Sequence, residues 1–433
     1  MADPVVGLMG FFASLFLIAL GVPVAVSLSV VAIAGYTLLN GVSGVVFVMA
    51  SAPFESLFPY SLSVIPLFLM MGVFAARCGL STDLFLAANT LVARFRGGLA
   101  MATITACAGF GAICGSSLAT VATIGRVALP EMRRAGYDDS LAAASVAAGG
   151  TLGVMIPPSI LLIIYGLLTE QSIGQLFSAA ILPGLLGLFL YIASVFVVVR
   201  LNPNLAGPVP QQRSVDRKAV RRAWPVAVIF TVVIGGIQIG LFSPTEAAAI
   251  GASGSVLLAW IRRSLDRAAL WQSMSETVNL TGMVTLIIVS AGLFNFFIET
   301  TGLPQFLIAR VEANQLSPHT TLLAIILFYL VLGCFMDAMS MIMLTIPFVF
   351  PLIISLGFDP IWFGVLVVTI AELGLITPPI GMNLFVIQGV APGLSSAKVM
   401  RGILPFIAAD IIRLALLIAI PALTLWLPEQ SLN

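Results

Sequence analysis

The chain has 433 residues; 60% are apolar and only 9% charged, 19 Lys and Arg against 18 Asp and Glu. Soluble domains carry roughly 25% charged residues, and so few charges cannot cover a soluble surface of this size. Composition therefore defines a polytopic membrane protein, with length for about ten to fourteen crossings. A net charge of +1, without a basic cluster interleaved with aromatics, gives no footing for nucleic acid.

The first apolar run, Val5 to Val22, lacks a basic leader and ends at Pro23, so it reads as a retained span. Further runs fall at 24–40, 44–77, 98–129, 139–168 and 176–200, then at 224–241, 245–261, 278–298, 320–356, 361–391 and 403–427. Between the two sets lies the only long polar stretch, with Arg213, Arg217, Lys218, Arg221 and Arg222 among prolines; it reads as a soluble linker. Cys78, Cys107, Cys114 and Cys334 form no CxxC pair, and His319, in a short outer loop, is the single histidine. Packing is the expected role of the cysteines, and a Cys/His metal site has no basis.

The halves repeat at a constant offset of 221. Pro23 maps to Pro244, Pro130 to Pro351, Gly136 to Gly357, Asp138 to Asp359, Gly153 to Gly374 and Pro157-Pro158 to Pro378-Pro379. These are residues that fix backbone geometry, so the match reports a duplicated structure. Both copies break an apolar run with Gly-x-x-x-Pro-Pro, at 153–158 and 374–379. Paired prolines remove backbone donors and bar helical dihedrals just before them. At membrane depth the freed carbonyls need protein, water or an ion. Broken helices at equivalent points of two halves mark a secondary transporter's binding site.

Runs 98–129 and 320–356 are too long for one span, and each carries small or polar residues at its middle. Each is either two spans with a tight turn or a re-entrant hairpin. Read as hairpins, they leave five spans per half. An outside start then puts Arg77, Arg94, Arg96, Arg133, Arg134, Arg200, the linker cations, Arg262, Arg263, Arg267, Lys398 and Arg401 in the cytoplasm. Only Arg310 lies outside, with Arg126 and Arg413 inside apolar segments. This obeys the positive-inside rule; counting the hairpins as full crossings scatters the charges. Five spans per copy makes the second copy upside down. The expected fold is all-α and polytopic: two inverted repeats, each with a re-entrant helical hairpin and a Pro-Pro-broken transmembrane helix. Residues 1–80 are expected to be scaffold, 81–97 an interfacial arm, and 98–200 the first hairpin, broken helix and last helix. A cytoplasmic basic linker at 201–223 follows, then scaffold at 224–300, a second arm at 301–319, and the second hairpin, broken helix and last helix at 320–427. Both termini fall on the periplasmic side.

At these motifs the sequence resembles the large membrane subunit of tripartite ATP-independent periplasmic (TRAP) transporters. The resemblance spans nearly the whole chain. It rests on Pro66-Leu-Phe-Leu-Met-Met-Gly72, Gly115-Ser-Ser-Leu-Ala-Thr-Val-Ala-Thr-Ile-Gly125 and Gly153-Val-Met-Ile-Pro-Pro-Ser159. Ser243-Pro-Thr-Glu-Ala-Ala-Ala249 and Gly374-Leu-Ile-Thr-Pro-Pro-Ile-Gly-Met-Asn-Leu-Phe385 complete it. It implies an elevator-type fold in a bacterial inner membrane, driven by a sodium gradient. It also implies a small four-helix membrane (Q) subunit, here a separate chain, and a periplasmic substrate-binding (P) protein that delivers an organic anion.

Sodium prefers oxygen ligands, which half-helix ends and unwound carbonyls supply. Together with the repeat, the family pattern puts a first sodium site at Gly115, Ser116, Ser117, Gly153, Val154 and Pro157. A second falls at Asp337, Gly374, Leu375, Thr377 and Pro378. The offset sets Ser116 against Asp337, so one site is neutral and the other anionic. A carboxylate mid-bilayer costs roughly 2.5–3.5 kcal/mol, which calls for a compensating cation. Substrate, a carboxylate or sulfonate, is expected between the hairpin tips, with Ser117, Thr120, Thr123, Thr377 and Asn383 as neutral partners; sodium is the coupling ion and no other cofactor is expected. Asp410 and Arg413, at i and i+3, are expected to pair. A stand-alone sodium–anion symporter is the alternative. An intramembrane enzyme would need a nucleophile–base pair or metal cluster, for which one loop histidine leaves no material.

Overall fold

The computed structural model describes residues 3–92, 94–208, 217–391 and 393–431, the side chains of 217–219 and 431 apart. Those residues are helical and carry no strand. The first half contains α1 (Pro4–Ala19), α2 (Val24–Leu57), α3 (Val64–Arg77), α4 (Leu80–Val92), α5 (Gly98–Cys114), α6 (Ser117–Arg134), α7 (Asp139–Met155), α8 (Ile160–Thr169) and α9 (Ile173–Leu201). The second half contains α10 (Arg217–Phe230), α11 (Gly236–Gln238), α12 (Pro244–Ile261), α13 (Arg267–Thr301), α14 (Leu303–Ala313), α15 (Pro318–Gly333) and α16 (Ala338–Ser355). It closes with α17 (Pro360–Ile376), α18 (Met382–Val390), α19 (Ser396–Ala419) and α20 (Ala422–Ser431). Among the described residues, seven helices are long and apolar enough to cross a membrane, and α7 with α8 forms one further candidate span bent by 40°.

Both long ambiguous runs are helix–turn–helix units. The first turns at Gly115, whose φ of 62° is a left-handed helix cap that glycine adopts without strain. The second turns between Gly333 and Asp337. Both sequence breaks are real interruptions: Ile156 and Thr377 leave the helix in extended conformation, and the Pro157-Pro158 and Pro378-Pro379 peptides are both cis. The first hairpin turn meets its mid-run break instead of passing it. A Cβ placed on Gly115 would lie 2.7 Å from the Pro158 carbonyl oxygen.

α7 and α17 are the axes of the assembly. Every residue from Leu141 to Met155 and from Ile361 to Ile376 is buried. A helix apolar all round needs neighbours all round. The Ala- and Gly-rich face of α7 lets helix backbones approach closely, the way membrane helices pack. A Cβ on Gly111 of α5 would overlap the Gly153 Cα, and one on Gly333 of α15 would lie 2.9 Å from the Gly374 Cα. Thus each hairpin's first helix touches its broken helix backbone to backbone, at the glycine of the repeated motif. The outer helices are the opposite case: Met9, Phe12, Phe16 and Phe47 are exposed and apolar, as a lipid-facing surface requires.

Several boundaries differ from the sequence reading. The run 44–77 is not one helix: α2 bends at Gly41 (φ 72°) and ends at Leu57, and a 3-10 turn at Tyr60–Ser63 precedes α3. Pro53 is accommodated within α2, but Pro59, with ψ of 124°, leaves the helical region and starts the break. Its counterpart in the second half, α13, has no proline and runs unbroken for 35 residues, about 52 Å. The linker expected at 201–223 is shorter. Helix α10 starts at Arg217, in a segment of good helix formers, and Asp138 N–H donates to Leu205 O at 3.0 Å, fixing the linker's beginning to the foot of the first hairpin. Residues 209–216, including the expected linker cation Arg213, lie outside the described residues, as do the side chains of Arg217 and Lys218. The expected arms contain α4 and α14. The first is held firmly: Arg262, at the end of α12, pairs with Asp83 of α4 and donates to the Cys78 carbonyl at 3.1 Å.

Candidate substrate and ion site

Ser116 and Asp337 occupy equivalent corners. Each is the N-cap of its hairpin's second helix, in extended conformation. Ser116 Oγ accepts from the Ala119 N–H at 3.4 Å. Asp337 Oδ2 accepts from the Ser340 N–H at 3.0 Å, and the Ser340 hydroxyl bonds its other oxygen. Polar N-caps satisfy helix-end donors that would otherwise be orphaned. They also leave two helix N-termini, with positive dipole ends, pointing into the space between the tips.

That space is a cavity of about 100 Å³ lined by Gly115, Ser116, Ser117, Val154, Asp337 and Leu375, with apolar walls from Ile160, Leu161 and Met339. Residues assigned to both ion sites thus face one void. The remaining members sit just behind it. Gly153 is pressed on Gly111, Gly374 on Gly333, Pro157 is buried in the first break, and Pro378 is half-buried in the second. The Thr377 hydroxyl donates to Leu373 O at 2.6 Å on its own helix, leaving its oxygen lone pairs as acceptors.

The expected substrate partners divide. Ser117 faces the small cavity. Thr123 lines a larger one of about 670 Å³, which runs from both tips between α3 and α13 to Ala76 and Glu276. Thr120 is buried behind the first tip; its hydroxyl donates to Ser116 O at 2.7 Å and lies 3.2 Å from Cys114 Sγ. Asn383 is fully buried, and its amide donates to Ser117 Oγ at 2.8 Å and to Ala147 O at 3.0 Å. It therefore cross-links the first hairpin, the first broken helix and α18, with its donors engaged inside the protein. Arg126 is exposed and away from the tips.

Two features escaped the sequence reading. Ser340 completes the Asp337 cap, and its spacing three residues downstream is a signal that a capping rule detects. Asp410 and Arg413 do pair, at 3.0 Å, but Arg413 also reaches Glu372 at 3.4 Å, and all three are buried. Nothing in the local spacing announces that long-range contact.

Comparison with known proteins defines the class. Residues 10–423 match the family profile of the tripartite ATP-independent periplasmic transporter, DctM component. The C4-dicarboxylate TRAP transporter large permease protein DctM of Pseudomonas aeruginosa is 37% identical over 401 residues, covering 90% of this chain and 93% of that protein. The isethionate TRAP transporter permease protein DctMQ of Oleidesulfovibrio alaskensis is 34% identical, covering 98% of this chain and 66% of that protein. In fold, the chain is similar to the Alcanivorax borkumensis YdaH transporter, with a TM-score of 0.59, 13% identity and 98% of each chain covered. The chain belongs to the TRAP transporter family as its DctM component, the large permease, and is a transporter subunit, not an enzyme.

Proposed function

We propose that this permease imports an organic anion, a carboxylate or sulfonate, by sodium symport, receiving it from a periplasmic binding protein and working with a small membrane subunit. The observation that carries the reading is the shared cavity: two capped helix ends, one neutral and one anionic, meet the last turns of the two broken helices, at Val154 and Leu375, around a single void. Carbonyls at half-helix C-terminal ends and a carboxylate suit sodium, and two positive helix ends suit an anion. Among the described residues no Lys or Arg lines the void, so bound sodium ions supply the positive charge that offsets the substrate. C4-dicarboxylate and isethionate, named for the relatives, are a carboxylate and a sulfonate.

An elevator motion of the hairpins and broken helices against the scaffold fits the contact between them. Gly72 of α3 lies so close to the first tip that a Cβ there would sit 2.9 Å from Cys114 Cα. The larger cavity runs from the tips toward Glu276 and Ala76, beside Arg77, whose guanidinium donates to Ser273 Oγ at 3.3 Å. With basic residues inside, this corresponds to an inward-facing arrangement, with the termini in the periplasm.

The test is uptake into proteoliposomes holding this chain and its small subunit, with the binding protein and a labelled dicarboxylate or sulfonate outside. Uptake should require an inward sodium gradient and stop when the binding protein is omitted. Equal uptake with potassium in place of sodium would overturn the coupling; equal uptake without the binding protein would favour a stand-alone symporter.

A further inference from the structure

Outside the cavity, one cluster of buried polar groups has no place in the mechanism above. Thr151 and Glu372 stand at the same point of the two repeats, each two residues before the glycine of its break. A chain of side chains joins them. Thr151 Oγ1 lies 3.0 Å from the Tyr191 hydroxyl of α9, which donates to Asp410 Oδ2 of α19 at 2.6 Å. Asp410 pairs with Arg413 at 3.0 Å, and Arg413 reaches Glu372 at 3.4 Å. Every member is fully buried.

Such a network is expensive to bury, and packing alone does not require it; an apolar set of equal volume is often as stable. Room has been made for it: a Cβ on Gly187 of α9 would collide with Arg413 Nη1. It is also incompletely satisfied. Among the described residues, Glu372 Oε1 and Arg413 Nε and Nη1 find no hydrogen-bond partner. One cation faces two carboxylates, so a displacement of either broken helix changes how Arg413 is shared between them. Charged networks in a low-dielectric interior transmit such changes strongly.

Resting on the sodium reading above, we propose that Tyr191, Asp410 and Arg413 are positioning residues that couple the two breaks. They hold α7 and α17 in one mutual register, so that sodium at one break raises affinity at the other. The coupling is reciprocal by thermodynamic necessity. It predicts a dependence of uptake on sodium steeper than two independent, jointly required sites would give.

The test uses the reconstituted complex and reads uptake against sodium concentration. Tyr191→Phe keeps the ring, including its edge contact with Phe406 at 5.5 Å, and removes only the hydroxyl that links the halves; Thr151→Val removes the adjoining link. Both should lower the Hill coefficient to the value for two independent, jointly required sites and raise the half-saturating sodium concentration about fivefold or more. The substrate KM at saturating sodium should hold. A purely structural role would lower the melting temperature and transport capacity while leaving the shape of the sodium curve intact, and that result overturns the proposal, as does a wild-type curve no steeper than two independent sites give. Ser116→Ala and Asp337→Asn serve as references. If they shift the sodium curve and the Tyr191 and Thr151 variants do not, the coupling alone fails; if none shifts it, the sodium reading itself fails.

Discussion

Ser116 and Asp337, 221 residues apart, cap the second helices of the two hairpins and line the same cavity. Symmetry has preserved the geometry and changed the charge. A neutral oxygen at one corner and a carboxylate at the other give two sites of unequal electrostatic strength. The cap role and the ion role are chemically separable, because capping needs only an acceptor whereas strong cation binding at mid-membrane favours a full charge.

Asp337→Asn uses that separation. Asparagine caps helices about as well as aspartate, so the variant should fold, with thermal stability in detergent close to wild type. Its sodium-dependent uptake should fall at least about tenfold, the equivalent of roughly 1.4 kcal/mol. Uptake with unchanged sodium dependence would remove Asp337 from the ion site.

Ser116→Ala should behave differently. It deletes one neutral oxygen among several, so sodium affinity should weaken only a few-fold. It also removes an N-cap, at about 0.5–2 kcal/mol, so the melting temperature should drop more than in Asp337→Asn. The opposite ranking would show that the two corners do not divide the work in this way.

What the sequence made legible was whatever obeys a local or periodic rule. Pro157-Pro158 and Pro378-Pro379 interrupt helices because adjacent prolines remove two donors and the second bars the first from helical dihedrals, whereas single prolines such as Pro130 and Pro351 stay within helices. Gly115 turns because its conformation favours glycine. Asp410 and Arg413 pair because a helix puts i and i+3 side by side. The Ser117–Asn383 pair spans 266 positions, and no propensity or spacing connects them. The same holds for Glu372, whose partner lies on α19, and for Tyr191, which reads locally as one more aromatic in an apolar run. Composition also hid the helix break at 44–77, where a proline-bounded turn carries apolar residues and so leaves the hydropathy of one continuous run.

Acid stability should depend on the foot of the first hairpin. The Ser140 hydroxyl and backbone N–H hold the Asp138 carboxyl below its ordinary range, with nearby Lys398 contributing in the same direction. A carboxyl lowered on folding stabilises the protein above its free-chain value, about 3.9. That contribution disappears as pH falls through the lower folded value. Ser140→Ala removes the hydroxyl donor. The gap in melting temperature between wild type and variant should therefore be largest near neutrality and narrow below about pH 4. A gap independent of pH would assign the effect to packing.

The glycine contacts give the most severe structural test. On α5, Gly111 faces Gly153 with no room for a methyl, since its Cβ would overlap the Gly153 Cα. Gly282, mid-helix in α13, has nothing within 4 Å of an added Cβ. Intrinsic helix propensity favours both Gly→Ala changes by about 1 kcal/mol, so any difference between them isolates the close approach. Overpacking a tight contact costs typically about 1–3 kcal/mol, and here the opposing atom is backbone in the broken helix itself. Gly282→Ala should leave the melting temperature equal or raised. Gly111→Ala should lower it and, by levering Gly153 and Val154 away from Ser116, weaken sodium-dependent uptake as well. Equal melting temperatures and equal sodium curves for the two variants would mean that the first hairpin does not press on its break.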